Sequence, residues 1–182
     1  MRQAARDSFL RMWNAIAADA ARESPLWADA LKPVEERRHE PVFSQLVLAE
    51  LAVGVETIYE GYLVHYGKSR LFSPPDADTA LLLGDYLYAQ GLVHVAATGN
   101  VEAVADLAEL ISLCAQARAE GRNGDGAAWA ATAAQLGAGE LDGARDAFRV
   151  DADATLLDVA ARAAAGDERV ERSLATHGLL VG

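Results

Sequence analysis

The 182 residues carry 16 basic and 27 acidic side chains, a formal charge of −11, and are 52% hydrophobic. That length favours one domain with a sizeable core. The acidic balance excludes binding to phosphate backbones, so no nucleic-acid partner and no anionic membrane surface is expected. A single cysteine, Cys114, excludes an internal disulfide and a multi-cysteine metal site.

Much of the apolar content is alanine, and only five prolines interrupt the chain. Both favour helix, so an all-α protein is expected. Residues 2 to about 22 repeat apolar positions at Phe9, Met12, Trp13, Ile16 and Ala20, a helical stripe. Asp7 and Arg11 interrupt what a signal peptide would need as its apolar core, and a cytoplasmic location is expected. Ser24-Pro25 opens a second helix, shortened or divided at Pro33. A charged connection, Glu35 to Glu40, leads to Pro41. The third helix is expected over about 42–66. It is apolar nearly all round and is therefore placed centrally.

Ser73-Pro74-Pro75-Asp76 forbids helix and marks a loop. A fourth helix, also central, is expected over about 77–97, ended by Gly99. Asn100 caps a fifth, where Cys114 reads as a buried thiol. Gly121–Gly126 reads as a flexible loop before a sixth helix. Shorter helices follow over about 141–149, 153–165 and 167–177, with Gly166 and Gly178 as stops. The expected architecture is a compact bundle of about eight helices in one domain. No apolar stretch is long enough for a membrane span.

Several segments match a known family in order and spacing. They are Val55 to Gly67, Leu82-Leu83-Gly84-Asp85-Tyr86-Leu87, Gly99-Asn100-Val101-Glu102, Ala119-Glu120-Gly121 and Ala133-Ala134-Gln135-Leu136-Gly137-Ala138. Together they resemble the trans-isoprenyl diphosphate synthases over roughly residues 50–138. The resemblance implies a shortened isoprenoid-synthase-like fold. In that family two aspartate-rich DDxxD segments hold magnesium, which neutralises the leaving diphosphate. His65 falls on the family's histidine, and Tyr66 and Gly67 fall on its first two aspartates. Residues 66–70 contain no carboxylate and bring in two cations, Lys68 and Arg70.

His65, Tyr66, Gly67, Lys68 and Arg70 thus read as a degenerate first metal site. Coulomb attraction of Lys68 and Arg70 for an anionic group would survive there. The same residues also read as a plain helix end, with Gly67 past the last turn and the cations near the carbonyls. The second motif is reduced to Phe148 with Asp151 and Asp153, one of which reads as a helix cap. Arg37-Arg38-His39-Glu40-Pro41 echoes the family's isopentenyl-binding segment, with Glu40 where an arginine belongs.

Glu56 and Glu60 share a helical face, and Asp85 faces them if the third and fourth helices pair. With Tyr62 and His94 they are the candidate polar pocket. The plainer alternative has Asp85 bonding a neighbour and His94 at a helix interface. Tyr59, Tyr62 and Tyr66 lie on one face, with Tyr86 and Tyr88 expected nearby. They line an apolar tunnel, face a partner, or simply pack. Glu36 and His39 form a single Glu-x-x-His without the second motif that a di-iron bundle requires. No serine stands at a hydrolase-motif spacing from a histidine.

The resemblance therefore implies a protein without catalytic residues or cofactor, like the small subunit of two-component prenyl diphosphate synthases. Such a chain associates with itself or with a catalytic partner subunit. Two alternatives stand beside it. One is a binder of an apolar or prenyl-like molecule in a residual tunnel. The other is a divergent magnesium enzyme using Glu56, Glu60, Asp85 and Asp151 as replacement ligands.

Overall fold

The computed structural model describes residues 2–138 and 140–181, with side chains from residue 10 onward. Among these residues the chain forms nine α-helices and three short 3-10 turns, and no strand. The helices are α1 (Arg2–Glu23), α2 (Pro25–Asp29), α3 (Ala52–Tyr66), α4 (Ala77–Ala96), α5 (Val101–Ala119), α6 (Asp125–Ala134), α7 (Asp142–Asp151), α8 (Thr155–Ala165) and α9 (Asp167–Val181). The all-α expectation is met.

The expected helix starts are built by local chemistry. Ser24 Oγ accepts from Leu26 N at 3.1 Å, and Pro25 opens α2. Asp76 accepts from Thr79 N at 2.7 Å ahead of α4, and Asn100 from Ala103 N at 2.9 Å ahead of α5. Each side-chain oxygen satisfies an amide that the helix leaves without a partner.

Two expectations of helix extent are corrected. Residues 42–51 do not belong to α3. They form 3-10 turns at Ser44–Leu46 and Ala49–Leu51, because the Val42 and Ser44 amides donate to the buried Glu56 side chain. Gly178 does not stop α9, which runs on to Val181.

α3 is the central helix, buried continuously from Gly54 to Leu63. α4 runs antiparallel to it along a seam of facing glycines. A Cβ on Gly61 would lie 2.8 Å from the Gly84 carbonyl oxygen, and one on Gly91 would lie 2.7 Å from that of Gly54. Only glycine permits this backbone approach. α4 is less central than expected, since Leu81, Leu82 and Val93 face outward.

The core has two parts. The larger joins α3, α5, α6, α7, α8 and α9, with Val95 of α4, around Phe43, Tyr59, Tyr62 and Trp129. The smaller joins α1, α2 and α4 around Trp13, Ile16, Trp27, Phe72 and Leu83. Between them, the segment after α3 runs alongside the segment after α2. Lys32 N donates to Leu71 O at 2.9 Å, Arg38 N to Arg70 O at 3.1 Å, and Ser73 N to Ala30 O at 2.7 Å.

Candidate functional site

Past Tyr66 the chain leaves α3 and folds back over it. Gly67 N closes the helix on Leu63 O at 2.9 Å, and Lys68 N donates to Leu180 O of α9 at 2.8 Å. Ser69, Arg70 and Leu71 then cover the middle of α3. Glu60 Oε1 accepts from Ser69 Oγ at 2.5 Å and from the Arg70 and Leu71 amides, each at 2.8 Å. Its Oε2 takes Arg70 Nε at 2.9 Å.

One turn earlier, Glu56 Oε2 takes Arg70 Nη1 at 2.7 Å. Glu56 Oε1 holds the Val42 and Ser44 amides at 2.8 and 2.9 Å. Arg70 Nη1 also donates to Glu40 O at 2.8 Å. The guanidinium carbon lies 4.4 Å from the Trp13 ring centroid and 5.1 Å from that of Tyr59.

All three charged side chains are completely buried. Burial disfavours the Arg70 charge, but the Glu56 and Glu60 charges and their hydrogen bonds outweigh it and raise the arginine further above its usual range. Two carboxylates against one guanidinium leave an excess negative charge. The four backbone amides donated to Glu56 and Glu60 offset it.

The candidate pocket residues therefore divide. Glu56 and Glu60 belong to the Arg70 triad. Asp85 is exposed and meets His65 Nε2 at 3.3 Å. His94 reaches Asp19 of α1 at 3.2 Å and Gln90 at 3.4 Å. Asp85 and His94 thus each bond a neighbour and do not join the two glutamates. Burial pulls His65 below the usual histidine range, partly offset by the charge and hydrogen bond of Asp85.

Tyr66 is half-buried against Tyr62, and Lys68 is exposed. Arg70 does not sit at the carbonyl end of α3, and it is not available to a diphosphate. Tyr86 stacks on Trp27 in the smaller core part, away from Tyr59 and Tyr62.

The residues suggested as replacement metal ligands do not fit a magnesium ion. Glu56 and Glu60 spend their oxygens on Arg70, Ser69 and four backbone amides. Asp85 is committed to His65, and Asp151 is exposed at the end of α7. Among the described residues no group of three or more His, Cys, Asp or Glu is arranged to hold a metal ion. Downstream, Asp153 accepts from Thr155 N at 2.9 Å, but the N-cap of α8 is Ala154 and Asp151 ends α7, so neither aspartate takes the capping position expected for it.

A second buried network was not expected. Asp125, assigned to a flexible loop, lies in the first turn of α6 and is buried. The Tyr62 hydroxyl and Arg118 Nη2 both donate to Asp125 Oδ2. Arg118 also donates to the Tyr62 oxygen, at 3.0 Å from Nε and 2.7 Å from Nη2. His177 of α9 stands 3.7 Å from Asp125 through Nε2 and bonds the Tyr59 hydroxyl through Nδ1 at 2.9 Å.

The network ties α3, α5, α6 and α9 together. Phe43 and Trp129 pack against its tyrosines with ring centroids 5.0–5.5 Å apart. Burial alone would raise the Asp125 pKa. The nearby His177 imidazole, the Tyr62 hydrogen bond and the Arg118 guanidinium instead hold it well below the usual carboxylate range. Burial and the nearby Asp125 push Tyr62 well above the phenol range, and burial does the same to Tyr59 despite Arg70. Both hydroxyls stay protonated, and that of Tyr62 donates to Asp125.

The sequence does contain part of this site. The spacing of Tyr59, Tyr62 and Tyr66 marks the face correctly. Nothing local marks Asp125 or His177, whose partners lie 63 and 118 residues away. No family model, no curated protein and no solved structure matches this chain.

Proposed function

We propose that this chain is a non-catalytic protein of isoprenoid-synthase type, acting as the accessory subunit of a prenyl diphosphate synthase. The observation that carries this reading is Arg70. A guanidinium occupies the position of the motif's last aspartate, and the two nearest glutamates are bound to it. Ionising an allylic diphosphate requires cations arranged around the departing charge. Here the buried cation is neutralised by protein carboxylates.

The glycine-seamed pairing of α3 with α4 agrees with the segments that carry the resemblance. The outward Leu81, Leu82 and Val93 of α4 offer apolar surface for a partner subunit. The tunnel reading draws less support, because Phe43 and Trp129 pack directly on Tyr59 and Tyr62.

The test has two arms. Purified chain, incubated with allylic and isopentenyl diphosphates and Mg²⁺, is expected to yield no elongated product. Co-expressed with a synthase that carries both DDxxD motifs, it is expected to co-purify and to alter product yield or length. Magnesium-dependent elongation by the chain alone overturns the reading in favour of a divergent enzyme. A lipid-like molecule extracted from an unpartnered chain favours the binder.

A further inference from the structure

A groove of about 220 Å³ lies between the 3-10 turns before α3 and the C-terminal end of α6. Leu46, Val47 and Leu48 line one side, Ala133, Ala134 and Leu136 the other, and Arg169 of α9 supplies its charge. It takes no part in the Arg70 or Asp125 networks. Its volume is below the roughly 300–1,000 Å³ of drug-sized sites, so its occupant is small.

Its lining combines a cation with a helix end. Arg169 is positive, and among the described residues no carboxylate lies within ion-pair reach of it. Its neighbours Arg162 and Arg172 are both paired, with Glu171 and Glu168. A hydrogen bond from Nη2 to the Gln45 carbonyl steadies the Arg169 side chain. The negative end is that of α6, which stops at Ala134 and turns its last carbonyls out of the helix. Among the described residues no backbone amide caps the Ala133 or Ala134 carbonyl; the Gly137 amide goes to Asp106 instead.

We propose that this groove binds an aliphatic α-amino acid of valine or leucine size. The carboxylate pairs with Arg169, the ammonium meets the carbonyls ending α6, and the side chain lies against Leu46 and Leu136. A plain aliphatic acid would face the negative helix end with nothing to offset it. A plain amine would face Arg169. This site does not depend on the prenyl-synthase reading.

Calorimetric and NMR titrations of the intact protein with L-leucine, isovalerate and isopentylamine test it. Leucine is expected to bind saturably in the millimolar range, with shifts confined to Leu46–Leu48, Ala133–Leu136 and α9. Each singly charged analogue is expected to bind at least about tenfold more weakly. Arg169→Gln is expected to lose about tenfold or more in leucine affinity with an unchanged circular dichroism spectrum. Leu48→Asp, at a position 63% exposed, is expected to weaken it as well without disturbing the core. Absence of saturable leucine binding overturns the proposal, as does isovalerate binding equal to leucine or an Arg169→Gln variant that binds unchanged.

Discussion

Arg70 Nε meets Glu60 Oε2 at 2.9 Å with neither side chain exposed to solvent. Nη1 completes the triad with Glu56 at 2.7 Å. The arginine therefore ties the segment after α3 to α3 itself and, through Glu40 O, to the segment before it. Arg70→Met is expected to destabilise the fold by about 3–5 kcal/mol, because two buried carboxylates lose their cation. Arg70→Lys should recover little of this, since one ammonium cannot reproduce the two-pronged geometry. Urea midpoints measure both. A loss under about 1 kcal/mol for the methionine variant would contradict a buried, paired state.

The glycine seam predicts opposite signs for chemically identical changes. Gly61→Ala would put a methyl 2.8 Å from the Gly84 carbonyl oxygen. It is expected to cost about 1–3 kcal/mol or more by forcing α3 and α4 apart. Gly178→Ala, inside α9 with nothing within 4 Å of the new methyl, is expected to add about 0.4–1 kcal/mol. Thermal midpoints of the two variants should fall on either side of the wild type.

Asp125 makes stability depend on acid. Its carboxyl titrates lower in the folded protein than in the unfolded chain. Its contribution is thus complete above about pH 4 and is lost as pH falls toward the folded value. Asp125→Asn is expected to cost about 1–3 kcal/mol at neutral pH and to flatten the decline of stability below pH 4. Chemical denaturation from pH 2.5 to 7 checks both parts. A variant that keeps the wild-type slope would exclude Asp125 as its source.

Cys114 is buried among Leu110, Leu113 and Ala117, and burial raises its thiol pKa well beyond the usual cysteine range. A thiol-reactive disulfide reagent is expected to label it only as fast as the fold opens. Rapid labelling of native protein at neutral pH would place the thiol elsewhere.

Most helices are legible because their signals are local. Ser24-Pro25, Asp76 and Asn100 all mark starts, and the apolar stretch beginning at 42 marks a central helix, of which only the part from Ala52 is helical. The segment 42–51 reads as helix because its apolar content is set by burial, while its Val42 and Ser44 amides are claimed by Glu56 from another element. A side-chain acceptor can replace the helical carbonyl, and periodicity does not register that exchange. Gly178 reads as a stop, but a mid-helix glycine weakens a helix without ending it. In the site, the spacing of Glu56 and Glu60 was visible and their partner was not. Arg70 lies ten and fourteen residues beyond them, past a turn. Asp125 hid in a glycine-rich stretch that reads as loop. Gly124, with φ of 118°, is the residue that turns the chain so that Asp125 enters α6.

The Arg70 triad also bears on how this chain can change. An aspartate introduced alone at position 70 would set three acidic groups together in a dry interior, with no counter-ion to accept them. Placing a carboxylate at position 70 therefore needs several coordinated replacements, at 56, 60 and 70 together. A single substitution in that direction is blocked, so the three positions can change only as a set.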